Sequence, residues 1–394
     1  MSSPELVAPR LPWDAADPHS YYEARRRDGD VVWDDTAQAW LVVGYEAARE
    51  VLGGSAWTSD PAANPTVRAA MDPLGLEMSR RSMLVTDGAT HQRLRGSVRD
   101  VFTRTFVTGL TAGVEAIASA VIDEPATNDE FDFMSRVALP LPIGVIAEWL
   151  HLEPDTTDLL AETSPVIIRM LGALPDSEAT QAGTAASAAL MTEFLPLAAD
   201  RRVHPGDDLL SFIAGDPDLE LEDVVVTTIL LAVAGHETTA NLLGNSIVRL
   251  LSPEHEGTRL ADRIDPTDPG SITELLRLEG PVQSAIRVAT DDTTIGGVEI
   301  SAGSAALVAV AAANRDPAAF DSPDEFRPDR TGRAPLTFGY GAHHCLGANL
   351  ARLEFATALP RILARRPALV GAPSWRDTPA IRGPERVPVV FTAP

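Results

Sequence analysis

The longest uninterrupted apolar pattern in the chain runs from Val224 to Leu251, where Val, Ile, Leu and Ala occupy nearly every side of a helical wheel. At about 1.5 Å per residue it spans roughly 42 Å, the width of a whole domain. A helix apolar nearly all round belongs in the interior. Upstream, the pattern predicts a short helix around His19 to Arg27. A hairpin follows, Val31-Val32-Trp33 and Trp40-Leu41-Val42-Val43, joined through Asp34 to Gln38. A helix from Tyr45 to Leu52 is closed by Gly53-Gly54. Residues 57 to 86 carry Pro, Gly and Asp at close intervals and read as a long flexible loop, a feature that is usually functional inside a compact domain. Helical periodicity dominates from Ala89 to Arg366. Within that stretch residues 282 to 312 turn β-like, with Gly296-Gly297 at a turn, and 379 to 393 end the chain in Pro-interrupted extended segments. The expected fold class is mainly α with a minor β portion. No Gly/Ser linker, acidic block or repeat divides the chain, so residues 1–394 read as a single domain.

Composition narrows the function. With 45% hydrophobic and 22% charged residues the chain can bury a large core. A formal net charge of -24 disfavours nucleic acid and anionic membranes as partners, because both select basic surfaces. Met1 to Trp13 holds prolines and no apolar run, so neither a signal peptide nor a membrane anchor is expected, and the expected compartment is the cytoplasm. There is no lysine, so every fixed positive charge on a side chain is an arginine, which suits bidentate carboxylate recognition.

Cys345, the single cysteine, sits in Phe338-Gly339-Tyr340-Gly341-Ala342-His343-His344-Cys345-Leu346-Gly347, with a helix-like run after it. One cysteine supplies neither a disulfide framework nor, without a second thiol beside the histidines, a structural zinc site. It does suffice as one thiolate on the iron of a haem. A thiol near neutral pH is mostly protonated, so the site must favour the anion. A helix start does so, and N–H groups of Leu346, Gly347 and their successors are expected to point at the sulfur. Gly339, Gly341 and Gly347 let backbone pass a flat cofactor or take positive φ. Phe338 can cover the sulfur from water, and His343 can reach an anionic edge group.

The segment resembles the haem-binding signature of the cytochrome P-450 family, Phe-Gly-x-Gly-x-His-x-Cys-x-Gly, with every specified position matched. The resemblance implies the P-450 fold and one haem b per chain, with Cys345 as axial ligand of the iron in a loop spanning residues 338–347. In the long helix, residues 224–251, Ala234-Gly235-His236-Glu237-Thr238-Thr239 places a glycine and an acid where both cost stability. A Thr hydroxyl there can bond the carbonyl four residues back, bending the helix and opening a groove. The family carries a Gly-x-acid-Thr motif at this place, often with Asp, and the implied role of Glu237 and Thr238 is proton delivery to bound oxygen. His236 reads as structural and outward-facing. Glu274 and Arg277, at i and i+3, resemble the family's Glu-x-x-Arg pair. Arg330, in Phe326-Arg327-Pro328-Asp329-Arg330, stands where the family completes it, and the implied role is structural. His91 and Arg95 share one helix face; with Arg287 and His343 they match the family's contacts to the two haem propionates.

The implied activity is monooxygenation of a bulky, largely apolar small molecule from specialised metabolism, by hydroxylation or epoxidation. Its electrons would come from a separate ferredoxin-type donor with its reductase. Arg93, Arg99 and Arg104, taken as lying on the His91 helix, and Arg352 are the expected docking face. Substrate contacts are expected from the 57 to 86 loop, which would control access, from 164 to 200, from Val226 to Ala234, from 282 to 286, and near Ala380-Ile381. Two other readings stay open: a haem-thiolate oxidase closing rings or coupling aryl groups, and a haem sensor or carrier without turnover.

Overall fold

The structure, a computed structural model, describes residues 11–71, 73–172, 177–254, 257–378 and 380–393. The expectations for Met1 to Arg10, and for parts of the access and substrate segments at 72 and 173–176, lie outside the described residues. At the centre runs the helix Leu221–Leu251, buried over most of its length. It starts three residues before the apolar pattern does. Glu220 and Asp223 form a reciprocal capping box there, and Asp223 also receives Arg81 at 2.9 Å and Arg93 at 2.7 Å. Polar Glu222 and Asp223 interrupt the apolar periodicity but suit the positive end of a helix.

Helices Pro140–Leu150, Pro154–Gly172, Ser177–Val203 and Ala348–Ala364 pack around this axis. Their apolar faces, with Phe133, Leu141, Ile146, Leu190, Phe194 and Phe355 wholly or almost wholly buried, make one large core.

The β portion stands beside the helices. One five-stranded sheet runs in the order Val31–Asp34, Ala39–Val42, Ala305–Val308, Ala285–Ala289, Trp57–Thr58. Only the pairing of Ala39–Val42 with Ala305–Val308 is parallel. Thr293–Ile295 and Val298–Ile300 form a separate hairpin, turned by Gly296 and Gly297 with φ of 58° and 81°, the conformation that a two-residue turn of this hand requires.

One expectation needs correction. Residues 57 to 86 are not a long loop: they contain the strand Trp57–Thr58, a 3-10 turn at Pro61–Ala63, and helices Pro65–Ala70 and Pro73–Arg80. The prolines act as helix starters, because a first-turn residue needs no N–H. Asn64 then caps Thr66 and Val67, each at 3.0 Å. The helix-dominated stretch also contains the strand Glu130–Asp132, which pairs with Pro388–Phe391 from the far end of the chain. Three residues carry no periodicity of their own, so this strand exists only through its distant partner. Among the described residues no single helix is long and apolar enough to cross a membrane.

Candidate active site

The Cys345 loop is folded mainly by its own backbone. The Cys345 N–H donates to the Phe338 carbonyl at 2.7 Å, and the Gly339 N–H to the Leu336 carbonyl at 2.8 Å. Gly339 and Gly341 take φ of 73° and 78°, where a side chain is strained. A Cβ at Gly341 would also strike the Gly53 backbone. Gly347 is different. Its φ is an ordinary -79°, and a Cβ there would meet no protein atom within 4 Å, so nothing in the protein itself demands glycine. Half-buried Phe338 carries the Arg352 guanidinium 4.5 Å from its ring centre.

Cys345 keeps accessible surface, yet protein surrounds it closely enough that burial pushes its thiol up. The N–H groups of Gly347 and Ala348, with the charges of Arg95 and Arg352, pull the other way. The helix Ala348–Ala364 supplies those N–H groups from its first turn.

His91 and Arg95 project from the helix Gly88–Arg99. His91 is only 4% exposed, and its Nε2 has no hydrogen-bond partner among the described residues. Burial, then the charges of His343 and Arg95, push it down to about 4, so it is neutral near pH 7. Its ring lies 4.3 Å from that of His343. His343 Nε2 in turn is 2.9 Å from Asp87. Arg95 donates to the His344 carbonyl at 2.6 Å, tying this helix to the Cys345 loop. Arg287, on strand Ala285–Ala289, bonds only its neighbour's Ile286 carbonyl, at 2.8 Å, and makes no ion pair among the described residues. Burial holds it below its ordinary value. His343 feels Asp87, Arg287 and Arg95 together, so the four expected donors form one cluster.

A haem is a flat apolar disc with two carboxylates on one edge. The unpartnered His91 Nε2, Arg287 with no ion pair among the described residues, and the open side of Gly347 beside a lone thiol fit that group.

On the central helix Thr238 donates to the Ala234 carbonyl at 2.9 Å and Thr239 to the Gly235 carbonyl at 3.2 Å. The helix stays continuous through the hexad. Gly235 is set by packing, since a Cβ would reach Ile146 at 2.9 Å. Glu237 is no solvated acid: it is 1% exposed, and Arg376 donates to its Oε2 at 2.9 Å. His236 is buried as well, which corrects its outward-facing assignment. It is 1% exposed, on a buried side of the helix, and its Nδ1 lies 2.7 Å from the Ala232 carbonyl.

Glu274, Arg277 and Arg330 meet. Arg277 donates through Nε and an Nη to the two Glu274 oxygens at 2.7 and 2.8 Å, and Arg330 Nε reaches Glu274 at 3.3 Å. The proposed docking arginines do not share one helix. Arg104 opens a separate helix, Arg104–Thr108, capped by Thr103, and Arg93 is committed to Asp223.

Sequence reasoning missed Arg376, Asp87 and Asn314. Arg376 acts 139 positions from its partner, so no local spacing announces it. Asp87 looks like an ordinary N-cap, but it spends its carboxylate on Thr58, the Ser59 N–H and His343 instead of on its own helix. Asn314 accepts from the Leu336 N–H at 2.6 Å and donates to Thr337 at 3.0 Å, steadying the approach to the Cys345 loop.

Known proteins resemble this arrangement along nearly the whole chain. The family model described as Cytochrome P450 matches residues 269–365. Cytochrome P450 107B1 of Saccharopolyspora erythraea is 35% identical over 398 residues, covering 95% of each chain. The 6-deoxyerythronolide B hydroxylase of the same organism is 34% identical, covering 89% of this chain and 90% of its own. Among solved structures, P450BioI in complex with hexadec-9Z-enoic acid ligated acyl carrier protein superposes with a TM-score of 0.87 at 30% identity, covering 96% of this chain and 99% of that one.

Proposed function

The chain belongs to the cytochrome P450 family of haem-thiolate monooxygenases, and on that premise we propose that it hydroxylates or epoxidises a bulky, largely apolar small molecule of specialised metabolism. The observation that carries this reading is the presence in one chain of a lone thiol under helix-start N–H groups and, on the central helix, a buried acid followed by a half-buried Thr. Residues 1–394 act as one haem-binding unit in the cytoplasm. Two electrons per turnover come from a separate ferredoxin-type carrier and its reductase. Arg104 and Arg352, close enough to repel each other, are the core of the proposed docking face beside Cys345.

When bound, haem b supplies an iron at which dioxygen is activated, so that one oxygen atom enters the substrate and the other leaves as water. Cys345 would hold that iron. Its thiol must lose a proton against burial, and the Gly347 and Ala348 N–H groups, Arg95 and Arg352 favour the anion. His91, Arg95, Arg287 and His343 would hold the two propionates, and Phe338, Gly339 and Gly347 would line the cofactor beside Cys345. Glu274, Arg277 and Arg330 keep that side of the site in place. Glu237 and Thr238 bring protons from solvent to the oxygen side. The Thr238 hydroxyl proton is engaged by Ala234, which leaves its oxygen able to accept one from a donor.

The proposed substrate class is supported by relatives whose names specify 6-deoxyerythronolide B and a hexadecenoic acid. Met83, Ile167 and Ile168 pack in the core, so substrate contact from these segments falls to residues such as half-buried Met71 and Met78 and exposed Leu171. The helices Pro65–Ala70 and Pro73–Arg80 are the proposed access gate.

A ferrous carbonyl complex with the red-shifted Soret band of thiolate ligation is expected, and Cys345→Ser should lose both that band and monooxygenase activity even with haem retained. Thr238→Ala should go on consuming reducing equivalents while diverting them to peroxide. A histidine-type Soret band, or unchanged coupling in Thr238→Ala, overturns the corresponding role.

A further inference from the structure

The short helix Pro18–Arg26 turns His19, Tyr22, Glu23 and Arg26 toward a cleft of about 320 Å³, and steps of three and four residues put those side chains on one helix face. Arg27 lines the cleft from the helix end. The opposite wall is the segment after the helix Val310–Ala313, which brings Arg315 and the apolar rings of Pro317 and Pro323. None of these residues belongs to the Cys345 cluster or to the central helix.

Three arginines therefore line one cleft, and two of them have no acid. Arg26 donates through one terminal nitrogen to the carbonyls of Ala312 at 2.6 Å and Val43 at 3.2 Å; its Nε has no partner, and it makes no ion pair among the described residues. Arg27 is exposed and has no side-chain partner among the described residues. Arg315 is paired, to Asp324 at 2.6 Å and more loosely to Glu279 at 3.8 Å. Glu23 and Asp324, both exposed, are the acids on the cleft.

Behind these charges lie polar atoms with nothing to bond. Tyr22 is 1% exposed, and neither its hydroxyl nor His19 Nδ1 has a partner among the described residues. The two rings are neighbours, 6.0 Å apart, and a native fold rarely leaves two such groups together unsatisfied. The field there is positive: burial first, then the charges of Arg315, Arg382, Arg249 and Arg26, push His19 well below its ordinary value. Glu279 is shared by Arg249, Arg315 and Arg382 at 3.3, 3.8 and 3.5 Å, one carboxylate among three cations.

We propose that this cleft is a binding site for a small phosphate-bearing anion, held by Arg26, Arg27 and Arg315 with the Tyr22 hydroxyl as a further donor. Phosphate suits it better than a carboxylate, because tetrahedral oxygens can meet donors from both walls and a second negative charge matches the second unpaired arginine. Pro317 and Pro323 offer apolar surface to the organic part of a phosphomonoester. In a chain of net charge -24 anions are repelled at long range, so saturable uptake of one marks a local site.

The test uses the haem-loaded protein and needs no turnover. Inorganic phosphate, exchanged for chloride at constant ionic strength, should bind saturably in calorimetry and raise the thermal midpoint. Arg27→Gln removes a guanidinium that the fold does not use, so it should keep the midpoint measured without phosphate and weaken binding about tenfold. Arg26→Gln should weaken it at least as much. Tyr22→Phe removes a hydroxyl bonded to nothing, so the midpoint without phosphate should not fall, while the gain from phosphate shrinks. Glycerol 3-phosphate binding more tightly than inorganic phosphate supports the site and identifies an organic phosphate as its ligand; equal binding supports it with the free ion as ligand. Acetate binding as tightly as phosphate overturns the phosphate assignment. Phosphate that does not saturate, or binding that Arg27→Gln and Tyr22→Phe both leave at parental strength, overturns the site.

Discussion

The helices Pro269–Glu279 and Ala348–Ala364 pack against each other, and each buries a glutamate in opposite surroundings. Glu274, 2% exposed, accepts two bonds from Arg277, one from Arg330 and one from the Arg327 N–H at 3.1 Å. Burial alone would push its carboxyl up, but the Arg277 hydrogen bonds and charge outweigh it, and the group is held below its ordinary value. Glu354, fully buried, has no hydrogen-bond partner on either oxygen among the described residues. Burial pushes it well above its ordinary value, the direction that favours the neutral acid. Depth therefore does not decide the charge of a buried acid; its partners do.

The largest test removes the strongest partner. Arg277→Met would leave Glu274 charged and buried, and would also take the Arg277 donor from the carbonyls of Asn314 and Pro323 and one of two arginine donors from that of Glu325. A loss of about 3–5 kcal/mol in chemical denaturation is expected, with part of it returned when Glu274→Gln is added. A loss below about 1 kcal/mol would erase the distinction between the two sites.

The second test works in the opposite direction. Glu354→Met replaces an unsatisfied acid by an apolar side chain of similar length and should stabilise by about 1–3 kcal/mol at neutral pH. The effect depends on pH. Above the unfolded carboxyl value of about 4.3, the native state keeps a proton on Glu354 that the unfolded chain releases, so stability falls as pH rises. Glu274 acts the other way: its contribution is present above the unfolded value and is lost as pH falls through the lowered native one. The advantage of Glu354→Met over the parent should therefore widen as pH rises above about 4, as read from denaturation at several pH values. A pH-independent gap would mean that Glu354 is ionised or solvated.

The same contrast explains what was legible in the sequence. Cys345 with its glycines, Glu274 with Arg277, and His91 with Arg95 lie within a few residues of their partners, so spacing put each set together and the resemblance to the P-450 family assigned the roles. The long buried helix was visible because apolar residues fill its wheel. Arg376, which completes Glu237, and Pro388–Phe391, which creates the strand at Glu130–Asp132, act across more than a hundred positions, where no period exists to read. Glu354 was silent for another reason: an acid in a helix looks like a solvated face until the packing shows that it is not. The 57 to 86 stretch misled because proline ends one kind of helix position and starts another.

The smallest expected effect separates the two arginines on Glu274. Arg330 lies at the edge of the cluster, 11% exposed in its side chain, and spreads its guanidinium between Glu274 at 3.3 Å and the carbonyls of Ser322 at 3.2 Å and Glu325 at 3.3 Å. Arg330→Lys keeps the charge, but an ammonium radiates its donors from one point and cannot span those acceptors. Water can reach the carbonyls it abandons, so the loss should be about 1 kcal/mol, measured against Arg277→Met in the same denaturant series. A loss equal to that of Arg277→Met would mean that the outer arginine carries the cluster. If Arg330→Lys costs nothing, Arg277 alone sets the charge of Glu274, and the contrast with Glu354 comes down to one buried guanidinium.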